Sequence, residues 1–522
     1  MKHIYIIAIL IAFFASSTCA QKKTSKQTVT SEEVKTANEK DSINAIMKAA
    51  ENGDAVCQNV VGMWYYKGVN YPQDYKQAYK WWAKSAAQNN VEAIGNLGLL
   101  FQYGRGVDAD SVKAQRCYLN SIKSGNKALL QQREDLSEKG GDPFNSILTA
   151  ICYQEGYGTT KSLTKALHFY ELAAKCNSVD AFREIGFIYQ KKGSSAAVGM
   201  FEKAASKGDI ASAYQFAKAV LNNPSKYSDK EQEGVIYLIK AAEAGNAQAQ
   251  CDLGTYYYQG KHVTKDLEKA VEWFKKSAVG EWALGQWNLA LCYMDGVGIV
   301  KNYDEALYWF GEATARGYMQ QFEKMCNDGE KGWKDKPFMN YVKGMSQYCS
   351  NDIVNAYEEF KKIKKNVVEA QTMMAICMAN KDYKKHNAKK AAKELIKISD
   401  TGNAMAMFFL ASLYEAGNGI EKDKDIALSI YQKSAEAGYA TAQCYLGNLY
   451  YEGRLVNQDY SSAVKYYQYA EKQGRLTETA ASRYADCIEK GLGGLKADKT
   501  KAIKLRKKDI KNHVAAMLQK VK

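Results

Sequence analysis

Residues that often carry catalysis or bind metals are scattered along this chain rather than grouped. Its five histidines lack the H-E-x-x-H spacing of zinc proteases, and its twelve cysteines include no C-x-x-C pair. A G-x-x-x-x-G-K-[ST] phosphate-binding loop is also absent. The sequence therefore predicts no catalytic residue, no metal site and no cofactor. The histidines are His3, His168, His262, His386 and His513.

Polar and aromatic side chains recur instead, at positions that suit binding. An amide side chain both donates and accepts hydrogen bonds, so it can hold a peptide backbone. Tyr and Phe are rigid anchors of the kind that dominate interface energies. We interpret nine such residues as a ligand-binding groove; the alternative is that they decorate a solvated groove or pack against the neighbouring repeat. The predicted groove residues are Asn96, Gln102, Asp252, Tyr258, Asn288, Phe409, Tyr445, Asn448 and Tyr451.

Internal repeats of about 36 residues place these side chains. Each repeat contains a Gly or Ala directly after an apolar residue, and we call this small residue the marker. Markers lie 36 residues apart at Gly62 and Gly98, at Gly254 and Ala290, and at Ala411 and Gly447. A fixed period in this range is typical of a solenoid, whose units bury their apolar faces by stacking.

Each repeat also carries signals for two helices. A Gly six residues after the marker suits the left-handed residue that ends the first helix. An Asp, Asn or Ser three or four residues before an Ala suits the N-cap of the second helix, which then carries large aromatic residues. The predicted C-terminal glycines are Gly68, Gly104, Gly156, Gly260, Gly296, Gly417 and Gly453. The predicted N-caps are Asp74, Asp110, Ser162, Asp266, Asn302, Asp423, Asp459 and Asp498.

The full pattern is A-x-A-x-x-x-L-G-x-x-Y-x-x-G, followed by a Gly-Val type turn, an Asp and an aromatic-bearing helix. It resembles the Sel1-like repeat, a branch of the tetratricopeptide-type solenoids. Clear units begin near residues 54, 91, 247, 283, 404 and 440, and weaker ones lie around 145–177, 178–209, 210–246 and 476–509. The resemblance implies an all-α, right-handed superhelical solenoid of stacked antiparallel helix pairs. It also implies an adaptor scaffold that binds proteins or peptides along the superhelix, with the first helices on the concave wall.

The N-terminus has the pattern of a signal peptide: a short polar start, an apolar run over residues 4–14 and small residues before Ala20. We therefore expect export by a bacterium, to the periplasm or beyond, with Cys19 leaving lipid anchoring open as an alternative. The predicted segments are a signal peptide (1–20), a flexible polar linker (21–40), a first repeat block (41–318), an irregular helical segment (319–403), a second repeat block (404–509) and the basic C-terminal end of a capping helix (510–522).

The cysteine count bears on disulfide bonding. Cleavage after Ala20 would leave eleven cysteines, and an odd number argues against a complete disulfide set. We favour their use as small buried apolar residues, while an oxidising compartment leaves a few bridges open.

The C-terminal stretch Lys496–Lys522 concentrates positive charge. It holds ten Lys or Arg against two Asp, in a chain of net charge +15. Ile503, Ile510, Val514 and Met517 fall near one helical face, so we interpret the stretch as a cap on the apolar end of the stack. The alternative is an anchor for anionic lipid, polysaccharide or nucleic acid.

The sequence thus favours a non-enzymatic scaffold of the cell envelope that binds a protein or peptide partner of unknown identity through its groove. One alternative is a surface protein that binds an anionic envelope surface through Lys496–Lys522; nucleic acid is not the partner we expect. A third class, a hydrolase of envelope polymers, has no residue that the sequence can nominate.

Overall fold

The computed structural model describes residues 31–327 and 337–507, together with Val514 and Met517. All regular structure within these residues is helical, which confirms the predicted all-α class. A short 3₁₀ turn (Ser228–Lys230) precedes α12, and a π-helical turn (Thr314–Tyr318) follows α16. The α-helices are α1 (Ser31–Glu51), α2 (Ala55–Lys67), α3 (Tyr75–Ala87), α4 (Val91–Tyr103), α5 (Ser111–Lys123), α6 (Lys127–Glu138), α7 (Pro143–Glu155), α8 (Leu163–Lys175), α9 (Val179–Lys191), α10 (Ala196–Ala205), α11 (Ile210–Leu221), α12 (Glu231–Glu243), α13 (Ala247–Gln259), α14 (Leu267–Val279), α15 (Ala283–Asp295), α16 (Tyr303–Ala313), α17 (Met319–Asn327), α18 (Pro337–Cys349), α19 (Ile353–Ile363), α20 (Val368–Ala379), α21 (Ala388–Ser399), α22 (Ala404–Ala416), α23 (Lys424–Glu436), α24 (Ala440–Glu452), α25 (Tyr460–Lys472), α26 (Glu478–Lys490) and α27 (Lys499–Lys507).

The predicted N-terminal segments are only partly described. The signal peptide (1–20) and residues 21–30 of the linker lie outside the described residues. Residues 31–40 belong to α1, so this part of the predicted flexible linker is helical instead. Among the described helices, none combines the length and the apolar character needed to cross a membrane.

The chain forms two compact units, Met1–Ala181 and Phe182–Lys522. Within each unit, helices that follow one another along the chain pack as consecutive pairs, which confirms the predicted solenoid of helix pairs. The boundary between the two units falls inside α9, and segment 319–403 lies within the second unit. The physical reason is that α18 to α21 pack on one another in chain order, as the flanking helices do.

The marker residue lies against an aromatic ring of the second helix. A Cβ atom added to Gly62 would lie 2.4 Å from the Trp82 ring, and one added to Gly447 would lie 2.5 Å from the Tyr467 ring. Both rings are fully buried. Glycine therefore lets the first helix approach the ring more closely than any other residue would. The same contact joins Gly98 to Tyr118 and Gly254 to Phe274.

The helix ends form as the sequence predicts. All seven predicted C-terminal glycines are left-handed, with φ between 64° and 77°. All eight predicted N-caps accept a hydrogen bond from a backbone N–H in the first turn of the second helix. These bonds satisfy donors that a helix cannot satisfy internally, so within each pair the first helix ends and the second begins at a defined residue.

Two kinds of buried polar side chain, a Ser and a Gln, form hydrogen bonds that join the helices of the regular repeats, and neither was predicted. Ser85 Oγ, on a second helix, donates to the Ala55 carbonyl of the first helix at 2.6 Å. Gln250 Nε2, four residues before its marker, donates to the Ala242 carbonyl of the preceding repeat at 2.9 Å. Because these buried groups are hydrogen-bonded, they stabilise the stack rather than mark a reactive site. The equivalent bonds are Ser121 to Val91, Ser277 to Ala247, Ser434 to Ala404, Gln58 to Ala50, Gln286 to Ala278 and Gln443 to Ala435.

Segment 319–403 keeps the pair contact but loses the glycine-rich turn. A Cβ atom added to Gly344 in α18 would lie 2.5 Å from the Phe360 ring in α19, so Gly344 acts as a marker. The two residues are 16 apart in sequence, whereas Gly62 and Trp82 are 20 apart, because the connection between the helices is shorter. The segment follows a kink at Gly317, where φ is 106°.

In the second unit, the chain after α25 returns to α16. Tyr308 Oη donates to the Gly474 carbonyl at 3.0 Å. Arg475 pairs with Glu305, and its guanidinium lies 4.0 Å from the centre of the Tyr308 ring. Repeats far apart in sequence are therefore joined inside this unit.

The described part of the C-terminal segment also packs on α16. A Cβ atom added to Gly311 would lie 2.8 Å from Val514, and Met517 is fully buried. Ile503, predicted to share their apolar face, is instead 49% exposed. Val514 thus contacts an earlier repeat, where Gly311 leaves room for it, and Met517 belongs to the hydrophobic cluster that includes Phe310 of α16. The rest of 510–522 lies outside the described residues.

Ten of the cysteines within the described residues are free thiols. Cys152, Cys251 and Cys377 are fully buried, and burial raises the pKa of each thiol to about 12. These three fill the core as small apolar residues, which is the favoured interpretation of the sequence, whereas Cys176 and Cys349 are exposed and do not fit it.

Candidate binding surface

Three of the predicted groove residues form hydrogen bonds to the preceding repeat, and we call these bonds braces. Each lies two residues before its marker and bonds to a residue 37 or 38 positions earlier, so the bonds join successive repeats. They run from Asn96 Nδ2 to Asn59 Oδ1 at 3.0 Å, from Tyr214 Oη to Asp252 Oδ2 at 2.9 Å and from Asn288 Nδ2 to Cys251 Sγ at 3.7 Å.

Asp252 is the carboxylate among these braces. Burial raises its pKa above the ordinary value, while the hydrogen bond from Tyr214 and the charge of Lys218 oppose that effect. The net shift is upward, so the surroundings of Asp252 only partly compensate its negative charge.

Gln102 and Asn448 bond inside their own helix pairs. Tyr118 Oη donates to Gln102 Oε1 at 2.8 Å, and Tyr467 Oη donates to Asn448 Oδ1 at 2.9 Å. These are the same buried rings that lie against the marker glycines. The two amides therefore satisfy phenols that would otherwise be costly to bury.

Tyr445 and Tyr451 are held by carboxylates. Tyr445 Oη donates to Glu415 Oε2 at 2.6 Å, and Tyr451 Oη donates to Asp486 Oδ2 at 3.3 Å. Burial and the hydrogen bond to Glu415 raise the pKa of Tyr445. Both rings are thus fixed in position, with their hydroxyl groups already engaged.

Tyr258 and Phe409 make no hydrogen bond through their rings and differ in exposure. Tyr258 is 44% exposed, and its hydroxyl has no partner among the described residues. Phe409 is half-buried and packs edge-on against Phe408, with ring centres 5.4 Å apart. Tyr258 is therefore the predicted groove residue with the most surface left for a partner.

Two arginines at a shared repeat position were missed by the sequence analysis. Arg105 and Arg454 each lie seven residues after a marker, directly after the helix-ending glycine. Each reaches the side chain 39 positions earlier: Arg105 donates to Tyr66 Oη, and Arg454 donates to Glu415 Oε1 at 3.0 Å. The recurring Gly-Arg dipeptide at one register is the signal that could have found them.

The second unit contains a cleft of about 1390 Å³ between α16 and the later helices α26 and α27. Tyr308 and Trp309 line one side, next to Arg316, which pairs with Glu312 at 2.8 Å. The opposite side carries three lysines of the predicted basic C-terminal stretch, and none of them forms an ion pair within the described residues. These lysines are Lys501, Lys504 and Lys507.

The described histidines make pairwise contacts. His168 lies 2.9 Å from Glu138, and His262 lies 2.6 Å from Glu231. Within residues 31–327 and 337–507, three or more His, Cys, Asp or Glu side chains nowhere come together in a way that could hold a metal ion.

Paired helices with left-handed glycine ends and braces between successive pairs define a tetratricopeptide-type repeat protein. A family model of the Sel1 repeat matches more than half of the chain, in ten segments: 55–90, 91–126, 148–178, 186–209, 226–246, 247–278, 283–318, 404–439, 440–474 and 479–508. The chain belongs to the Sel1 repeat family, as the sequence pattern predicted. Proteins of this family generally mediate protein–protein interactions and are typically not catalytic.

Similar proteins match only parts of the chain. It is 30% identical over 166 residues to chitin synthase regulatory factor 3 of Schizosaccharomyces pombe, covering 29% of this chain and 18% of that protein. It is 26% identical over 225 residues to chitin synthase regulator SKT5 of Saccharomyces cerevisiae, covering 41% and 31%. A 40-residue stretch is 48% identical to the secretory immunoglobulin A-binding protein EsiB of Escherichia coli, covering 8% of each chain. The chain spans less than a third of the length of the two fungal regulators.

Solved structures of repeat proteins are also similar. The antigen c5321 of uropathogenic Escherichia coli is 22% identical with a TM-score of 0.36, over 92% of this chain and 97% of that chain. A Sel1 repeat protein from Oxalobacter formigenes is 22% identical with a TM-score of 0.25, over 59% and 100%. Similarity at this level carries no information on partner or site.

Proposed function

We propose that this protein is a non-enzymatic scaffold of the cell envelope that binds a protein or peptide partner along its first helices. The observation that carries the proposal is the set of braces between successive first helices, such as Asn96 to Asn59. They fix polar side chains in place before a ligand arrives, and a surface ordered in advance loses less conformational entropy on binding. Export rests on the apolar run over residues 4–14 and the small residues before Ala20.

The relatives support a protein as the class of partner. EsiB is named for binding secretory immunoglobulin A, and a 40-residue stretch of it is 48% identical to this chain. The partner of this chain is expected to differ, because solenoids share their framework and vary in surface side chains.

The structure indicates which residue tests the proposal. Tyr445 and Asn448 hold internal hydrogen bonds, so replacing them would weaken the stack as well as the surface. Tyr258 holds none among the described residues and is 44% exposed. Tyr469 is a matched control, because it is 39% exposed but lies on a second helix, α25.

Affinity capture from an envelope extract tests the scaffold function. Wild-type protein and Tyr469→Ala should retain the same discrete protein at high salt, and Tyr258→Ala should retain about tenfold less, as expected for an interface aromatic. Equal capture by all three proteins would place the binding surface elsewhere. Failure of the wild type to capture any protein would contradict the proposal itself.

One observation favours a second candidate, an anion-binding surface protein. Lys501, Lys504 and Lys507 lie side by side in the cleft of the second unit. This function predicts binding to phosphatidylglycerol vesicles that weakens steeply with salt and disappears when all three lysines are replaced by Gln. Unchanged vesicle binding by the triple variant would exclude these lysines as the anchor. Nothing among the described residues favours the envelope-polymer hydrolase.

A further inference from the structure

In the second unit, the guanidinium of Arg454 binds a carboxylate that belongs to the chain itself. Arg454 Nη1 donates to Glu415 Oε1 at 3.0 Å, and its Nη2 donates to Tyr445 Oη at 3.1 Å. The other Glu415 oxygen accepts hydrogen bonds from Tyr431 at 2.9 Å and Tyr445 at 2.6 Å. One carboxylate is thus held by a guanidinium and two phenols.

The first unit contains the same site without the carboxylate. Arg105 corresponds to Arg454, but Tyr66 stands where the second unit has Glu415, 39 residues earlier in both cases. Arg105 Nη1 donates to Tyr66 Oη, and the guanidinium lies 5.2 to 5.5 Å from the ring centres of Tyr66, Tyr75 and Tyr103. No carboxylate pairs with Arg105 among the described residues, and most of its five N–H donors remain available.

A second uncompensated cation lies nearby. Arg133 is only 2% exposed, its guanidinium lies 4.1 Å from the centre of the Tyr118 ring, and it donates to Asn145 Oδ1 at 3.1 Å. Its Nε has no hydrogen-bond partner in the described part of the chain. Burial raises the pKa of Tyr118, the charge of Arg133 opposes that rise, and Tyr103 and Tyr66 add to it. Arg133 is therefore a second positive charge close to the aromatic rings that surround Arg105.

We infer that Arg105, flanked by Tyr66 and Tyr103, binds a carboxylate supplied by the peptide partner. The planar guanidinium fork matches a carboxylate in geometry and charge. Tyr103 is 56% exposed, so a ligand can reach the site. Arg133 is buried and adds charge without touching the ligand. This inference rests on the proposed scaffold function and names the chemistry that the partner must present: an acidic side chain or a free C-terminus.

Side-chain nuclear magnetic resonance of the full chain tests the site directly, because the chain has only nine arginines. Guanidinium nitrogens are labelled with ¹⁵N, and the Arg105 and Arg454 signals are assigned from Arg105→Lys and Arg454→Lys. Three tetrapeptides of sequence acetyl-Ala-Tyr-X-Ala are titrated: X as Glu with an amidated end, X as Gln with an amidated end, and X as Gln with a free C-terminal acid.

The Arg105 signal should shift saturably with one or both acidic peptides and not with the amidated Gln peptide, while the Arg454 signal stays in place. A response to the amidated Glu peptide alone identifies an acidic side chain as the source, and a response to the free acid alone identifies a C-terminus. Arg105→Lys keeps the charge but loses the fork, so tyrosine fluorescence should show about tenfold weaker peptide binding. Equal shifts of both arginines, or an equal response to the amidated Gln peptide, would overturn the inference.

Capture from the envelope extract separates the two proposals. If wild type and Arg105→Gln retain the same partner equally, the scaffold function stands and the carboxylate site is wrong. If the wild type retains no partner, the scaffold function fails, while the peptide titration still decides whether Arg105 binds a carboxylate.

Discussion

Arg105 in the first unit and Arg454 in the second occupy one repeat position but have different electrostatic surroundings. Both follow a helix-ending glycine and both reach the side chain 39 residues earlier. Arg454 meets Glu415 there and also lies 3.4 Å from Glu452, whereas Arg105 meets the hydroxyl of Tyr66. The repeat thus fixes where the arginine points, and the neighbouring residue decides whether its charge is used internally.

Removal of the internal carboxylate should have the largest effect. Glu415→Ala leaves the Tyr431 and Tyr445 hydroxyls and Arg454 without their shared acceptor, and Tyr431 is almost fully buried. Since each unsatisfied buried polar group costs ~1–3 kcal/mol, we expect a local loss of ~2–3 kcal/mol. Hydrogen exchange in α22 and α24 measures it, because repeat proteins open locally.

Glu421→Ala is the matched control for that variant, since Glu421 is an exposed residue in the turn after α22. It should leave hydrogen exchange unchanged. Equal protection of α22 and α24 in Glu415→Ala and Glu421→Ala would show that the network around Glu415 does not stabilise the stack.

Replacement of Arg454 or Arg105 by Met should reduce stability less than Glu415→Ala does, and it compares the two arginines directly. Arg454→Met leaves Glu415 without its guanidinium partner, so we expect a loss of ~1–2 kcal/mol, as for a partly buried charge-assisted hydrogen bond. Arg105→Met leaves no carboxylate behind and should cost less than ~1 kcal/mol. Hydrogen exchange in α2 and α4, compared with α22 and α24, measures the two losses. An equal loss at both positions would indicate that Arg105 has a carboxylate partner within the chain.

Helix ends could be predicted from the sequence, because each depends on residues of a single helix and its flanking turn. The left-handed glycine after α13, Gly260, and the N-cap of α14, Asp266, both follow from residue type and position alone. The marker glycine could also be predicted, because its contact lies inside one helix pair. In segment 319–403 the shorter connection changes the spacing, so Gly344 and Phe360 were not recognised as an equivalent pair.

The roles of the groove residues could not be predicted in the same way. A position two residues before the marker looks free when one repeat is considered alone. The structure places Asn96 against Asn59 and Asp252 against Tyr214, and both partners come from the preceding repeat. Such contacts depend on how repeats stack, which a helical pattern within one repeat does not specify.

Asp252 and Asp209 of the second unit differ in the same way as the two arginines: the charge of Asp209 is balanced by a nearby residue, and the charge of Asp252 is balanced only in part. This difference predicts opposite effects of pH on their contributions to stability. Burial raises the pKa of Asp252 above its ordinary 3.8, and its bond from Tyr214 does not reverse the shift. Burial also acts on Asp209, but the hydrogen bond from the Ser212 backbone N–H and the charge of Arg183, 2.9 Å away, lower its pKa overall. The contribution of Asp252 to stability is therefore present below pH 3.8 and lost as pH rises through its folded pKa. For Asp209 the contribution is present above pH 3.8 and lost as pH falls through its folded pKa.

The two aspartates should consequently respond to neutralisation with opposite signs. At pH 7, Asp252→Asn should raise the Tm and Asp209→Asn should lower it. Asn keeps an oxygen acceptor at both positions, so each variant is the control for the other. The difference in Tm between Asp252→Asn and the wild type should disappear as the pH falls to 3.8. The difference in Tm between Asp209→Asn and the wild type should disappear only below that pH. Thermal melts from pH 3 to pH 7 measure this, and shifts of the same sign at both positions would contradict the assignment.

The smallest expected change in stability comes from Glu415→Gln, which is also the sharpest test of the comparison. Tyr431 and Tyr445 both donate to the same Glu415 oxygen, and the Gln side chain retains an oxygen that can accept both bonds. The loss should therefore stay below ~1 kcal/mol, in the range of a partly exposed ion pair. The Glu415 charge that engages Arg454 is removed, however, and adding Glu452→Gln to the same protein removes the second carboxylate beside Arg454, so Arg454 then resembles Arg105. Its guanidinium signal should begin to shift with the amidated Glu tetrapeptide, as the Arg105 signal does in the wild type. If Arg454 stays unresponsive while Arg105 binds the peptide, the aromatic surroundings of Arg105 decide carboxylate binding, and the absence of an internal counter-charge is not sufficient.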